Sequence, residues 1–186
     1  YTADPELKEI LSQTVKDLLS TVRPNGSISC VPPEKQPDGP GGDLWERKYV
    51  LLGLDRYYDL VEADPAVLRA MTDQADCIIE QVGEPPKVPI TSLGWSPNHI
   101  ESSTLLEPFM RLYNRTGEKR YLDFARYIVS TGGSEGYDIF RQAYDNVPPH
   151  EMGGPYPKAY EMMSMFEGAV EYYRVTGDEY VRRSFM

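Results

Sequence analysis

The chain has 186 residues, 40% apolar and 26% charged, with 19 basic side chains against 29 acidic ones and a formal charge of -10. That length allows one sizeable domain with a real core, and the acidic balance excludes a surface built to track phosphates, so no nucleic-acid partner is expected. No run approaches the roughly 18 apolar residues of a membrane span and no charged start followed by an apolar core marks a signal peptide, so no membrane partner is expected either.

Asp4, Pro5 and Glu6 stand in the order cap, first-turn proline, first-turn acid. Leu7, Ile10, Leu11, Val15, Leu18, Leu19 and Val22 then keep helical spacing until Pro24, Asn25 and Gly26 stop the run. A loop rich in proline and glycine runs from Arg23 to Gly41. Gly42 to Glu62 reads as a helix that needs two neighbours at once. Val50, Leu51, Leu54, Tyr57, Tyr58 and Val61 form one stripe, and Trp45, Tyr49 and Leu52 form a second. Gly42 breaks the chain ahead of it, Asp43 is the expected N-cap, and the helix is predicted to end near Ala63. Asp64 and Pro65 restart the chain, and Val67, Leu68, Met71, Ala75, Ile78 and Ile79 carry a return helix to about Val82. The pair is a helical hairpin with a short turn.

The pattern then repeats. Gly83 to Pro97 is a second long loop, carrying Trp95. Asn98 is the expected cap of a helix through Ile100, Leu105, Leu106, Met110 and Tyr113, kinked or split at Pro108. Thr116 and Gly117 close it, Glu118 restarts, and Tyr121, Leu122, Phe124, Ala125, Ile128 and Val129 form the return arm. A third loop from Thr131 to Gly154 holds a short helix around Tyr137 to Tyr144. Ala159, Met162, Met163, Phe166, Ala169, Val170 and Tyr173 describe a third first-arm helix, closed at Thr176 and Gly177 and restarted by Asp178. The three turns YYDLVEADPAVL, LYNRTGEKRYL and YYRVTGDEYV are self-similar at a period of roughly 55 to 60 residues, the mark of a repeated supersecondary unit.

The fold class expected is all-α, repeated helical hairpins forming about half of an (α/α)6 barrel. The chain opens at Tyr1 and stops within a helical pattern, so residues 1–186 read as a partial barrel domain of a longer protein; a signal removed from it would make it secreted or periplasmic, and without one it is cytoplasmic. Apolar flanks left without neighbours predict self-association of such a fragment.

Every turn from first to second arm is tight, and every connection to the next first arm is long. This gathers the long loops beside the N-termini of the first-arm helices, the predicted working face. Near that face lie Asp43, Trp45, Glu46, Lys48 and Tyr49, then Trp95, His99 and Glu101, then Tyr156, Lys158, Tyr160 and Glu161. Aromatic rings beside carboxylates and an imidazole suit a sugar, whose hydrogens stack on rings while its hydroxyls take hydrogen bonds. Trp45, Tyr49, Trp95, His99, Lys158, Tyr160 and Glu161 are the substrate-binding candidates, and Glu46 and Glu101 are the two carboxylates considered as catalytic groups. Glu101 has a structural alternative as a first-turn acid. Cys30 and Cys77, with His99 and His150, lack metal-site spacing, so no metal and no cofactor is expected in this chain.

DLWERKYVLLGLDRYYDL, LLEPFMRLYNRTGEKRYLDFARYIV and KAYEMMSMFEGAVEYYRVTGD resemble successive hairpins of the beta-L-arabinofuranosidase-like proteins, glycoside hydrolase family 127 and its relatives. The most specific stretch is the LYxxTGxxxYLxxA segment, Leu112 to Ala125. The resemblance implies an (α/α)6 barrel, release of arabinofuranose or a related sugar from a plant or microbial glycan, and a zinc-bound cysteine nucleophile in the full-length protein. The cysteine, zinc ligands and acid/base glutamate of the family fall beyond the matched stretch, so neither Cys30 nor Cys77 takes those roles. Tyr49, Ser102 and Pro157 stand near positions where family members carry histidines, and His99 is three residues out of register. Two other readings remain at this point: a helical repeat scaffold binding a protein partner on its concave face, and a carbohydrate-binding relative without catalysis.

Overall fold

The computed structural model describes residues 4–35, 43–155 and 158–186. Gly42, the predicted break before the second helix, lies outside the described residues, as do Tyr156 and Pro157.

Helix α1 (Pro5–Leu19) starts as its sequence dictates, with the Asp4 carboxylate accepting from Glu6 N at 2.9 Å and Leu7 N at 3.3 Å. Its C-terminal half packs on the core through Val15, Leu18 and Leu19, and the Tyr57 hydroxyl donates to Ser12 Oγ at 3.1 Å. The same apolar stripe continues toward the N-terminus without cover, leaving Leu7, Ile10 and Leu11 52%, 54% and 48% exposed.

Three hairpins follow. The first is α2 (Leu44–Leu60) with α3 (Pro65–Gln81). The second is α4 (Ile100–Ser103) and α5 (Leu106–Thr116) with α6 (Lys119–Ser130). The third is α8 (Ala159–Thr176) with α9 (Glu179–Ser184). Among the described residues the fold is all-α except for one small hairpin of β1 (Gly133–Ser134) and β2 (Tyr137–Asp138), which leads into α7 (Ile139–Tyr144). That hairpin has no periodic signal in the sequence because each strand is only two residues long.

The first-arm helices run in one direction. Arg115 near the end of α5 pairs with Asp55 at 2.5 Å and Asp59 at 2.7 Å near the end of α2, while Tyr49 near the start of α2 meets Tyr160 at the start of α8. The return helices form a second layer, buried on one stripe; in α3 it comprises Val67, Ala70, Met71, Gln74, Ala75, Cys77 and Ile78.

The hairpin turns repeat at atomic detail. Gly117 and Gly177 are both left-handed, at φ 71° and 67°, and donate from N–H to Tyr113 O and Tyr173 O at 2.8 Å. Thr116 and Thr176 hydroxyls donate to Leu112 O and Tyr172 O and accept from Glu118 N and Asp178 N. The first hairpin turns without glycine, and Asp64 caps Ala66 N there at 2.8 Å.

Several local expectations are corrected. Asp43 precedes α2 but makes no side-chain cap bond; its carboxylate is taken by Arg47 and Ser29. The helix ends at Leu60, before Ala63. Asn98 does not cap α4: His99 holds that position, and the Asn98 amide donates to Gly153 O at 3.3 Å. The second first-arm helix splits at Thr104 and Leu105, and Pro108 sits in the first turn of α5, where its missing N–H costs nothing. The second stripe of α2 is only partly covered, since Tyr49 is 40% exposed.

Tyrosine packing makes the fold sensitive to alkali. Burial pushes the fully buried Tyr121 phenol up to about 12 and raises Tyr127, Tyr172 and Tyr180. Above the ordinary tyrosine value of about 10 the unfolded chain releases these protons first, so their stabilising contribution is complete below pH 10 and is lost as pH rises toward 12. Lys48, whose pKa is lowered by burial, acts in the opposite sense up to its ordinary value of 10.5. The comparison of Tyr121→Phe with wild type cancels that contribution. Urea unfolding at pH 9 and pH 11 is expected to show a smaller loss of stability in the variant; equal losses would contradict this assignment.

Candidate functional site

The first two turns of α2 and the first turn of α8 bring aromatic rings together. Trp45 and Tyr49 are one helical turn apart, so they lie on one face, with ring centroids 5.2 Å apart and planes at 79°. Tyr160 meets Trp45 edge-on at 5.7 Å and shares a hydroxyl to hydroxyl hydrogen bond of 2.9 Å with Tyr49. Burial, and then the bond to Tyr160, raises the Tyr49 phenol well above its ordinary value, so the Tyr49 hydroxyl stays protonated at neutral pH. Tyr160 is 63% exposed and presents a ring and a hydroxyl outward.

Lys48 lies beneath this cluster, 2% exposed. Its ammonium lies 5.2 Å from the Trp45 centroid and 5.1 Å from that of Tyr49, and it donates to Ser164 Oγ. Among the described residues it has no ion pair. Burial lowers its pKa, and the fields of Glu107 and Glu167 partly oppose that.

Beside the cluster is a compact turn from Gly94 to His99. Glu101, fully buried on α4, directs its carboxylate back into the turn. It accepts from Trp95 N, from Ser96 N at 2.7 Å and from Ser96 Oγ. A side chain at Gly94 would collide with that carboxyl, 2.7 Å from its carbon. The Trp95 ring is 54% exposed, with the Lys158 ammonium 4.3 Å from its centroid, and Lys158 pairs with Glu161 at 3.4 Å. His99 closes the turn at φ 52°, with Nε2 3.2 Å from the Glu135 carboxylate and a buried Nδ1 that has no hydrogen-bond partner among the described residues.

The second and third long connections therefore meet. Trp45, Tyr49 and Tyr160 form one group; Trp95, Lys158 and Glu161 form a second, joined to the first through α8. His99 faces Glu135 rather than the rings. Glu46 has one buried oxygen without a partner among the described residues, whereas both oxygens of Glu101 are already engaged. Ser102 donates its hydroxyl to Leu93 O.

Sequence reasoning missed Glu135. The run Gly133 to Asp138 has a turn signal in Glu135 and Gly136, and reading it as a tight hairpin would have placed that carboxylate at a tip. It also missed that Arg47 and Lys48 are buried, since a charged pair on a helix reads as solvated.

Among the described residues the side chains do not make up a zinc ligand set, since no group of three His, Cys, Asp or Glu side chains lies together. Cys30 is exposed and Cys77 buried, and burial raises the Cys77 thiol, opposite to what a metal-bound thiolate needs. Among the described residues no helix is long and apolar enough to cross a membrane.

A solved structure described as a GH127 beta-arabinofuranosidase superposes with a TM-score of 0.67 at 18% identity, covering 99% of this chain and 30% of that one. The chain thus spans less than a third of its structural relative. A search of curated proteins gives no match. The likeness at 18% identity speaks for the fold, namely the helical hairpins of that barrel. The model of the family described as beta-L-arabinofuranosidase, GH127 catalytic domain, matches residues 1–184, nearly the whole succession of hairpins, and the chain belongs to that family.

Proposed function

We propose that this chain supplies substrate-binding residues to a glycoside hydrolase acting on a plant or microbial glycan that carries arabinofuranose or a related sugar. The observation carrying the reading is the Trp45, Tyr49 and Tyr160 group, exposed where two hairpins meet, with paired hydroxyls beside the rings. Such a surface offers stacking to sugar hydrogens and hydrogen bonds to sugar hydroxyls in one place. Trp95, Lys158 and Glu161 extend it where the second long connection meets the start of α8, while His99 is turned to Glu135. Glu101 is committed to its own turn, and Glu46 is the carboxylate left with a spare buried oxygen. In this reading the chain's role is to hold sugar, with the bond-breaking groups supplied by parts of the barrel outside residues 1–186.

The test is titration calorimetry of the chain with arabino-oligosaccharides, with Tyr160→Ala and Trp45→Ala as variants. Each is expected to weaken binding by about tenfold, the loss of one aromatic contact. Tyr160→Ala should leave the melting temperature unchanged, because that side chain is mostly exposed. Wild-type protein that binds no arabinose-containing glycan, but retains a protein partner on the same face, would overturn the reading.

A further inference from the structure

We infer that Glu101 is the positioning residue of the candidate site, fixing the backbone turn, closed by His99, from which Trp95 reaches toward a sugar. The inference rests on the carbohydrate-binding reading above.

Glu101 is 0% exposed, and three donors converge on it: Trp95 N, Ser96 N and Ser96 Oγ. A first-turn acid ordinarily answers the N–H groups of its own helix. Here α4 is four residues long and the carboxylate serves the preceding turn instead. The turn cannot relax locally, because Gly94 packs directly against the carboxyl. It ends with His99 at φ 52°, a conformation uncommon for a residue with a side chain and kept only where surroundings impose it. The His99 N–H donates to Ser96 O at 3.1 Å and closes the turn.

The third connection holds the turn from its other side. Ser134 Oγ and Glu135 N each donate to Asn98 O at 2.9 Å, and Asn98 Nδ2 donates to Gly153 O. The backbone from residue 94 to residue 99 is thus gripped from within by Glu101 and from outside by another loop, while the Trp95 ring stands exposed above it. An exposed ring on a rigid backbone loses little freedom when a ligand stacks on it, which is how preorganisation raises affinity.

The side chain's acceptor geometry decides the outcome of substitution. In Glu101→Gln the amide oxygen keeps the Trp95 and Ser96 N–H bonds, and the new NH2 donates to Ser96 Oγ. Glu101→Leu fills the space and removes every acceptor. Trp95 is the sole tryptophan in a Trp45→Phe background, so its motion is read without ligand by time-resolved fluorescence anisotropy. Glu101→Leu is expected to cut the residual anisotropy to about half and, with Trp45 restored, to weaken arabino-oligosaccharide binding at least about tenfold, whereas Glu101→Gln stays within about twofold of wild type. Should Glu101→Leu lose its helical circular dichroism, Ser96→Ala, which removes one donor only, carries the test with a smaller change in the same direction. A folded Glu101→Leu or Ser96→Ala protein with unchanged Trp95 motion and unchanged binding overturns the assignment. If wild type binds no oligosaccharide, the carbohydrate reading fails, and the anisotropy alone still decides whether Glu101 positions Trp95.

Discussion

Replacing Arg47 with alanine is expected to destabilise the protein by about 3–5 kcal/mol, the cost of stripping a buried charge of its partner. Arg47 is 2% exposed; its Nε donates to Asp43 Oδ2 at 2.8 Å, and a terminal nitrogen donates to Gln81 Oε1 at 3.0 Å. Asp43 is 1% exposed and also accepts from Ser29 Oγ at 2.5 Å. The pair therefore ties the first long connection, the start of α2 and the end of α3 into one unit. Loss of the guanidinium removes the cation that compensates a desolvated carboxylate, and it opens a hole the size of a long side chain. Removing both charges is a different matter. The double variant Asp43→Asn with Arg47→Met is expected to lie within about 1–2 kcal/mol of wild type, because neither remaining group then carries a buried charge. Urea melts of the two singles and the double form a cycle. Strict additivity of the single effects would show that the pair is not energetically coupled.

Gly168→Ala is the second large effect, expected at about 2–3 kcal/mol of destabilisation through overpacking. A Cβ there would stand 2.6 Å from the Glu107 backbone nitrogen, 2.8 Å from Leu106 Cβ and 2.9 Å from Leu106 Cγ. Glu107 N belongs to the first turn of α5, and Leu106 is fully buried, so neither neighbour yields without moving a helix. The close approach of α5 and α8 also sets where the start of α8, with Tyr160, sits relative to α2. If the chain binds glycan as proposed, Gly168→Ala is thus expected to weaken that binding as well, although residue 168 lies about two turns along α8 from Tyr160. Gly53→Ala is the matched control. It lies in α2, where an added methyl would meet nothing within 4 Å, and gains about 0.5–1 kcal/mol from reduced backbone entropy in the unfolded chain. Thermal melts that place both variants on the wild-type curve would mean that the helix spacing adjusts freely.

The hairpins were legible because their signals are local. Asp4, Asp64 and Asp178 cap helices through N–H groups two or three residues away, and Thr116 with Gly117, like Thr176 with Gly177, closes a helix with atoms from its own last turn. Where a short polar side chain had a distant partner, the same local rule failed. Asp43 went to Arg47 and Ser29 instead of capping α2, and Asn98 reached Gly153 instead of capping α4. Tertiary partners prevail over a cap bond when the side chain is buried, since an unsatisfied ion or amide costs more there than an unsatisfied helix end near solvent.

The candidate site divides along the same line. The residue types and the end of the molecule at which they gather followed from loop lengths and the order of the arms. Which rings touch did not: Tyr49 and Tyr160 are 111 residues apart, and their 2.9 Å bond exists only because α2 and α8 start at the same end of the layer. Glu101 looked equally suited to catalysis and to a helix start, and only the path of the preceding turn showed its oxygens already occupied. Glu135 became visible as a neighbour of His99 once the third connection folded over the second. By itself the sequence determined helices, turns and their repetition, because those depend on contacts within about four residues. The tertiary structure decided which polar groups are engaged and which rings stand together, because those depend on donors and faces supplied by distant parts of the chain.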